Sequence, residues 1–125
     1  MKRCLFVDDS TVIRRVAKRI LGGAGLDVIE AAGGSEALSY CSVEMPDIVV
    51  IDGLLPDMET PDVIRHIRAM PMGAGPRILV CLVEKDVGAI MRAKRAGAQG
   101  YLLKPFDRLS LLSRMHEVIT APAAA

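Results

Sequence analysis

Three apolar runs in this sequence end abruptly on charge. Cys4-Leu5-Phe6-Val7 stops at Asp8-Asp9, Ile48-Val49-Val50-Ile51 at Asp52, and Tyr101-Leu102-Leu103 at Lys104-Pro105. Short apolar runs bounded by turn signals read as buried strands. Ligands of open α/β sheets bind outside the carboxyl ends of such strands. If the three strands meet on one side of the sheet's switch point, the carboxylates of Asp8, Asp9 and Asp52 converge with the Lys104 ammonium. Close like charges repel unless a cation neutralises them. Hard oxygen donors with few fixed protein ligands suit Mg²⁺, which keeps several of its waters. A carboxylate beside Mg²⁺ and a lysine is in turn suited to attack on phosphorus, because metal and ammonium absorb charge on the equatorial oxygens. Singly, each aspartate could as well cap the helix that follows its strand. The set at one sheet end is what points to a site.

The elements that must position these residues alternate along the chain. After the first strand, Ser10 is a good N-cap, and Val12, Ile13, Val16, Ala17, Ile20 and Leu21 form one apolar helical face that ends at Gly22-Gly23 and Gly25. Leu26 to Ile29 is the second strand, and Gly33-Gly34-Ser35 leads into a short helix through Tyr40. The third strand, Ile48 to Ile51, is followed by a Pro56 and Pro61 loop and a helix through Val63, Ile64, Ile67 and Met70. The fourth strand spans Ile78 to Val83, and Asp86 caps a helix carrying Val87, Ile90, Met91 and Ala93 that stops at Gly97. After the fifth strand, Tyr101 to Leu103, a last helix carries Leu109, Leu111, Leu112, Met115, Val118 and Ile119. Strands without an alternating polar face, separated by helices, predict a parallel sheet covered on both sides. Right-handed crossovers then make it a doubly wound (βα)5 α/β fold. Five βα units are too few for an eight-stranded barrel.

Composition agrees and narrows the function classes. The length of 125 residues predicts one domain over 1–120, with 121–125 a short disordered tail. Hydrophobic residues make up 51%, enough for a sizeable core and against a disordered chain. Sixteen basic against fifteen acidic residues give +1, so no global basic field points to DNA. The longest apolar run, Ile78 to Val83, is too short to cross a bilayer. Asp8-Asp9 cuts short the faint signal-peptide pattern of the first residues. Cys4, Cys41 and Cys81 are odd in number, widely spaced and without a CxxC pair, as buried thiols of a reduced protein would be. No Cys and His cluster suits zinc. The expectation is a soluble cytoplasmic protein.

Four segments together resemble a known family: Phe6-Val7-Asp8-Asp9-Ser10, Pro46 to Asp52, Ala96-Gly97-Ala98-Gln99-Gly100-Tyr101, and Leu103-Lys104-Pro105-Phe106. From Lys2 to Val118 the chain is similar to the receiver domain of bacterial two-component response regulators, close to the stand-alone CheY-like type. The flavodoxin/CheY-like strand order 2-1-3-4-5 is carried over from that family, whose known order it is. The resemblance implies Mg²⁺ held by Asp8, Asp9 and Asp52, and a phosphoryl group accepted by Asp52 from a histidine kinase or phosphotransfer protein. It further implies contact of Lys104 with that group, a cis Lys104-Pro105 peptide, and Tyr101 as the aromatic residue that swings inward on activation. Partners would dock on the last two helices with the fifth strand, the expected partner being the flagellar switch or chemotaxis machinery. The role is signalling, with no enzymatic activity beyond self-phosphorylation and self-dephosphorylation.

The chain also departs from that family. The switch position at the end of the fourth strand, a Ser or Thr in the family, falls on Leu82, which has no donor, and the small residue after it is Val83. Cys81 should face the other side of the sheet, and a thiol is a poor donor. Leu54 is apolar two beyond Asp52, and the loop from Leu55 to Thr60 lacks the family's glycine. Phosphotransfer is expected to survive these changes, and coupling of phosphate to Tyr101 is not.

Basic residues support a second reading. Arg92, Lys94 and Arg95 cluster on the fourth helix, with Arg108 after the fifth strand. Guanidinium forks bind phosphate and stack on bases, so a degenerate receiver could serve as a cyclic di-GMP effector. A solvated helix face would look the same in sequence. Solvated surface is the expectation for Arg14, Arg15, Lys18 and Arg19 on the first helix. The lone His66 and His116 are assigned no role. A flavin-binding enzyme is disfavoured, because Asp8-Asp9 stands where a phosphate-cradling loop would be needed.

Overall fold

Apolar runs with no polar face cannot turn one side to water, so a sheet built from them needs cover on both faces. A computed structural model describes residues 2–120 and shows that cover. The elements run β1 (Arg3–Val7), α1 (Thr11–Gly23), β2 (Asp27–Ala31), α2 (Gly34–Val43), β3 (Ile48–Asp52), α3 (Thr60–Ala69), β4 (Arg77–Leu82), α4 (Val87–Ala96), β5 (Gly100–Leu103) and α5 (Arg108–Thr120). The strands are all parallel in the order β2-β1-β3-β4-β5. This is the predicted flavodoxin/CheY-like topology, with its switch point between β1 and β3. The expected tail, 121–125, lies outside the described residues.

Alternation along each strand divides the core in two. Leu5, Val7, Val49, Ile51, Ile78 and Val80 pack under α2, α3 and α4. Cys4, Phe6, Ile48, Val50, Leu79 and Leu102 pack under α1 and α5. Phe6, Leu5, Ile51 and Leu79 are among the largest fully buried side chains. Each such residue contributes roughly 2 kcal/mol of transfer free energy. The strands therefore present their carboxyl ends as one fixed edge.

Some boundaries and faces differ from expectation. β2 begins at Asp27 and continues to Ala31, because its register with β1 runs from Arg3↔Asp27 to Val7↔Ala31. β4 stops at Leu82, its last pair with β5 being Leu82↔Leu103, and Val83 stands outside at 78% exposure. The buried stripe of α1 is narrower than its apolar sequence: Ala17 and Leu21 are covered, while Val12 and Val16 face solvent. Leu109 on α5 is likewise exposed.

The caps read in sequence are present. Ser10 Oγ accepts from the Ile13 N–H at 3.2 Å, and Asp86 Oδ1 from the Ala89 N–H at 3.1 Å. The opposite sheet edge is tied by Arg68, which donates to the carbonyls of Gly73, Pro76 and Gly97 and to Gln99 Oε1.

Candidate functional site

Val7 pairs with Ile51 across β1 and β3, so the residues after them leave the sheet side by side. Asp8 is 1% exposed and Asp52 8%, a costly placement for two carboxylates unless they are paired and hydrogen-bonded. One Asp8 oxygen accepts from the Ser10 N–H at 2.8 Å, and the other accepts from Lys104 Nζ at 2.8 Å. The same ammonium lies 3.2 Å from Asp52 Oδ1. Lys104 reaches this point from the end of β5, where the Lys104-Pro105 peptide is cis. Asp9 is exposed beside the pair. Asp8, Asp9 and Asp52 each offer a carboxylate oxygen, and these lie within 4.8 Å of one another. Three hard donors at that spacing, one on the solvent side, fit an octahedral divalent cation that keeps waters.

Electrostatics follow the packing. Burial raises the Asp52 carboxyl above the ordinary aspartate range. Lys104 opposes that rise, while Asp8 and Asp9 add to it. Burial works against the Lys104 ammonium, but its bonds to Asp8 and Asp52 outweigh this and raise it above the ordinary lysine range. Lys104 is thus held charged beside a carboxylate with an incomplete set of donors. That arrangement leaves Asp52 a basic nucleophile with a cation already in place for the oxygens of an incoming anion.

Residues that sequence reasoning missed brace this corner from behind. Arg14, expected on solvated surface, is half-buried: Nη1 donates to the Asp8 carbonyl at 2.7 Å and Nε to Glu30 Oε1 at 3.1 Å. Thr60 is 2% exposed, and its Oγ1 donates to the Asp52 carbonyl at 2.7 Å. Asp57 pins the β3–α3 loop by accepting from the Gly34 and Ser35 N–H groups at 2.9 and 3.0 Å, which holds its carboxyl below the usual range. The glycine-poor loop is thereby anchored at both ends. No local sequence signal marked Thr60 or Asp57, because their partners lie across the fold.

The β4 wall is built differently. Leu82 is half-buried and lies over Gly53, where an added Cβ would stand 2.6 Å from Leu82 Cδ2 and 2.9 Å from the Cys81 carbonyl oxygen. The Gly53 N–H donates to that same carbonyl at 2.7 Å. Gly53 and Leu82 therefore fit as a pair, and the leucine brings no donor to this side of the cleft. The Cys81 side chain packs in the α1–α5 core, and burial pushes its thiol well above the ordinary range. Between the walls is a cleft of about 590 Å³, lined by Asp9, Asp52, Lys104, Leu82, Val83 and Arg92 among others. Tyr101 is half-buried, and the Arg114 guanidinium of α5 lies 4.9 Å from its ring centroid. Arg114 also pairs with Glu117 at 3.0 Å.

Of the basic residues grouped in the sequence, two stay together and two lie apart. Arg92 and Arg95 border a hollow with Glu59 and Asp62 at the start of α3. Lys94 faces the other flank of α4, beside Tyr101 and Arg114. Arg108 lies near Gly23 at the end of α1. His66 and His116 are exposed. Cys4, Cys41 and Cys81 are free and buried. Among the described residues no helix is long and apolar enough to cross a membrane.

Known proteins resemble this chain in sequence and fold. The chemotaxis protein CheY of Thermotoga maritima is 33% identical over 94% of this chain and 97% of its own. The chain spans about half the length of other curated relatives, such as the response regulator MprA of Mycolicibacterium vanbaalenii, at 35% identity and 50% of that protein. Among solved structures, chemotaxis protein CheY4 of Vibrio cholerae superposes with a TM-score of 0.90 at 31% identity, covering 94% of this chain and 98% of that one. The receiver domain of sensor histidine kinase PA1611 from Pseudomonas aeruginosa, solved with a magnesium ion coordinated in the active site cleft, gives 0.85 at 27% identity over 96% and 98%. The family model described as the response regulator receiver domain matches residues 4–116. With its sheet order, its acidic corner and these relatives in agreement, the chain belongs to the response regulator receiver domain family of two-component signalling.

Proposed function

We propose that this chain is a CheY-type, Mg²⁺-dependent phosphoacceptor. Asp52 takes a phosphoryl group from a histidine kinase or phosphotransfer protein, and a partner reads the α4–β5–α5 face. The observation that carries this reading is one ammonium, Lys104 Nζ, lying 2.8 Å from Asp8 and 3.2 Å from Asp52 at the mouth of a cleft. Asp52 attacks the phosphorus, and the bond to the donor imidazole breaks with its electron pair going to that nitrogen. Lys104 binds an oxygen of the transferred group. Asp8 fixes the position of Lys104, and Arg14 and Thr60 hold the two strand ends still. Asp8, Asp9 and Asp52 are the residues that would hold Mg²⁺, which supplies a Lewis acid for the charge on the phosphoryl oxygens.

Val87 and Met91 on α4 and Leu103 on β5 are exposed apolar residues on the docking face, which supports a protein partner there. Likeness to CheY proteins supports a cytoplasmic role in chemotaxis, with the flagellar switch as the partner. A cyclic di-GMP effector would use Arg92 and Arg95, which share a hollow, but Glu59 and Asp62 line that hollow too and oppose an anionic ligand, which favours the phosphoacceptor reading.

The test is intact mass after incubation with Mg²⁺ and a small-molecule phosphodonor. A phosphoryl adduct is expected on the wild type and absent from Asp52→Asn or after chelation of Mg²⁺. A wild type that binds Mg²⁺ and takes no adduct contradicts the reading.

A further inference from the structure

The cleft lacks one donor and holds another that nothing engages. Leu82 and its carrier strand offer no hydroxyl to the side of the cleft facing α4. On that same side stands Arg92, which lines the cleft with Asp9, Asp52 and Lys104. Arg92 is exposed and takes part in no ion pair among the described residues. Helical side chains lean toward the N-terminus of their helix, and for α4 that end adjoins the carboxyl end of β4. The guanidinium accordingly lies back over Gly88, where an added Cβ would stand 3.2 Å from Arg92 Nη1 and 3.3 Å from Asp86 Oδ1. Gly88 and the small Ala89, which also lines the cleft, put no bulky side chain between this turn and the cleft. Arg92 also borders the two adjoining hollows toward α3, one of them shared with Glu59 and Asp62. It therefore stands where the α3–α4 groove opens into the phosphoacceptor cleft.

We propose that Arg92 takes the place of the missing hydroxyl by binding the phosphoryl oxygens on Asp52 from the α4 wall. The proposal rests on Asp52 being the phosphoacceptor. Phosphorylation replaces a single carboxylate charge, already engaged by Lys104, with a group carrying roughly −1.5 to −2 and three strong acceptor oxygens. Arg92, the cleft-lining cation that no ion pair among the described residues engages, is then drawn in, and a guanidinium fork matches phosphoryl oxygens geometrically. Arg92 shares α4 with Val87, Met91 and Lys94 of the docking face. A pull on Arg92 moves the surface that a partner reads, without passing through residue 82 or Tyr101.

The experiment titrates beryllofluoride, a phosphoryl mimic, into the Mg²⁺-saturated protein while following backbone amides and the arginine Nε–H signals by NMR. Wild type is expected to bind, with the Arg92 Nε–H signal and the amides from Val87 to Ala93 shifting together. Arg92→Ala is expected to bind about tenfold more weakly, the size of one charge-assisted hydrogen bond to an anion. Its α4 shifts should be lost, and Arg92→Lys should recover part of the affinity. Equal affinity in Arg92→Ala, with the Arg92 signal unmoved in wild type, overturns the inference and leaves Asp52 as acceptor. Wild type that binds no better than Asp52→Asn overturns both.

Discussion

The two walls of the cleft place polar chemistry in opposite ways. On the β1–β3–β5 side, two nearly buried carboxylates share one ammonium, and Arg14 and Thr60 tie their backbones from behind. On the β4–α4 side Leu82 is seated over Gly53 beside Val83, Glu84 and Asp86, and the cation lining that side, Arg92, is in no ion pair among the described residues. Tyr101, beyond that wall, is held from α5 by Arg114. The first wall is preorganised for chemistry. The second presents Leu82, which has no hydrogen-bond donor, at the end of β4. On the function proposed above, phosphoryl transfer and its readout are separable, because different side chains carry them.

The largest effect that would break this contrast comes from Lys104. Lys104→Ala leaves Asp8 and Asp52 buried together without a cation, and should lower stability by about 3 kcal/mol, as breaking a buried pair does. Added Mg²⁺ should restore part of the loss in urea denaturation. A variant as stable as wild type would show that the acid wall is not under electrostatic strain. Gly53→Ala comes next. The new methyl meets Leu82, and overpacking of this kind costs about 2 kcal/mol. Leu82→Ala in the same chain should recover only part, since the Cys81 carbonyl oxygen also stands 2.9 Å from the added Cβ. Full recovery would mean the backbone gives way.

Smaller still is Thr60→Val, expected to cost about 1 kcal/mol by removing a donor from the buried Asp52 carbonyl. Thr60→Ser should be near neutral, and thermal melts of the two variants check the pair. The smallest effect concerns pH. The folded-state value of Asp52 is raised, so the metal-free fold binds that proton more tightly than the unfolded chain. Stability from this group is fully present below the ordinary aspartate value and is lost as pH rises through the raised one. Asp52→Asn should therefore melt above wild type at neutral pH without Mg²⁺, with the gap closing on acidification. A gap that widens instead would reverse the sign of the account.

Much of the first wall was legible in the sequence, because a strand that ends on a charge announces both its direction and its cargo. Asp8, Asp52 and Lys104 each stand at such a strand end, and the fold brings their charged groups together. The strand order came from resemblance, since nothing local says that β2 lies outside β1. What escaped reading depends on pairs distant in sequence. Arg14 looks like one of four surface cations until Glu30 and the Asp8 carbonyl are brought to it. Thr60 is an unremarkable loop residue until β3 ends beneath it. Of the basic set Arg92, Lys94, Arg95 and Arg108, the structure keeps Arg92 and Arg95 on one hollow, as positions three apart on a helix require, and puts Lys94 and Arg108 elsewhere.

The central claim is that the acid wall works while the hydroxyl route to Tyr101 is cut. It is tested most directly by the ring resonances of Tyr101 in the phosphorylated, Mg²⁺-bound protein, compared between wild type and Leu82→Thr. The account predicts that the wild-type ring stays against Arg114 on phosphorylation and that the threonine variant's ring moves. A wild-type ring that moves as far as the variant's would contradict it.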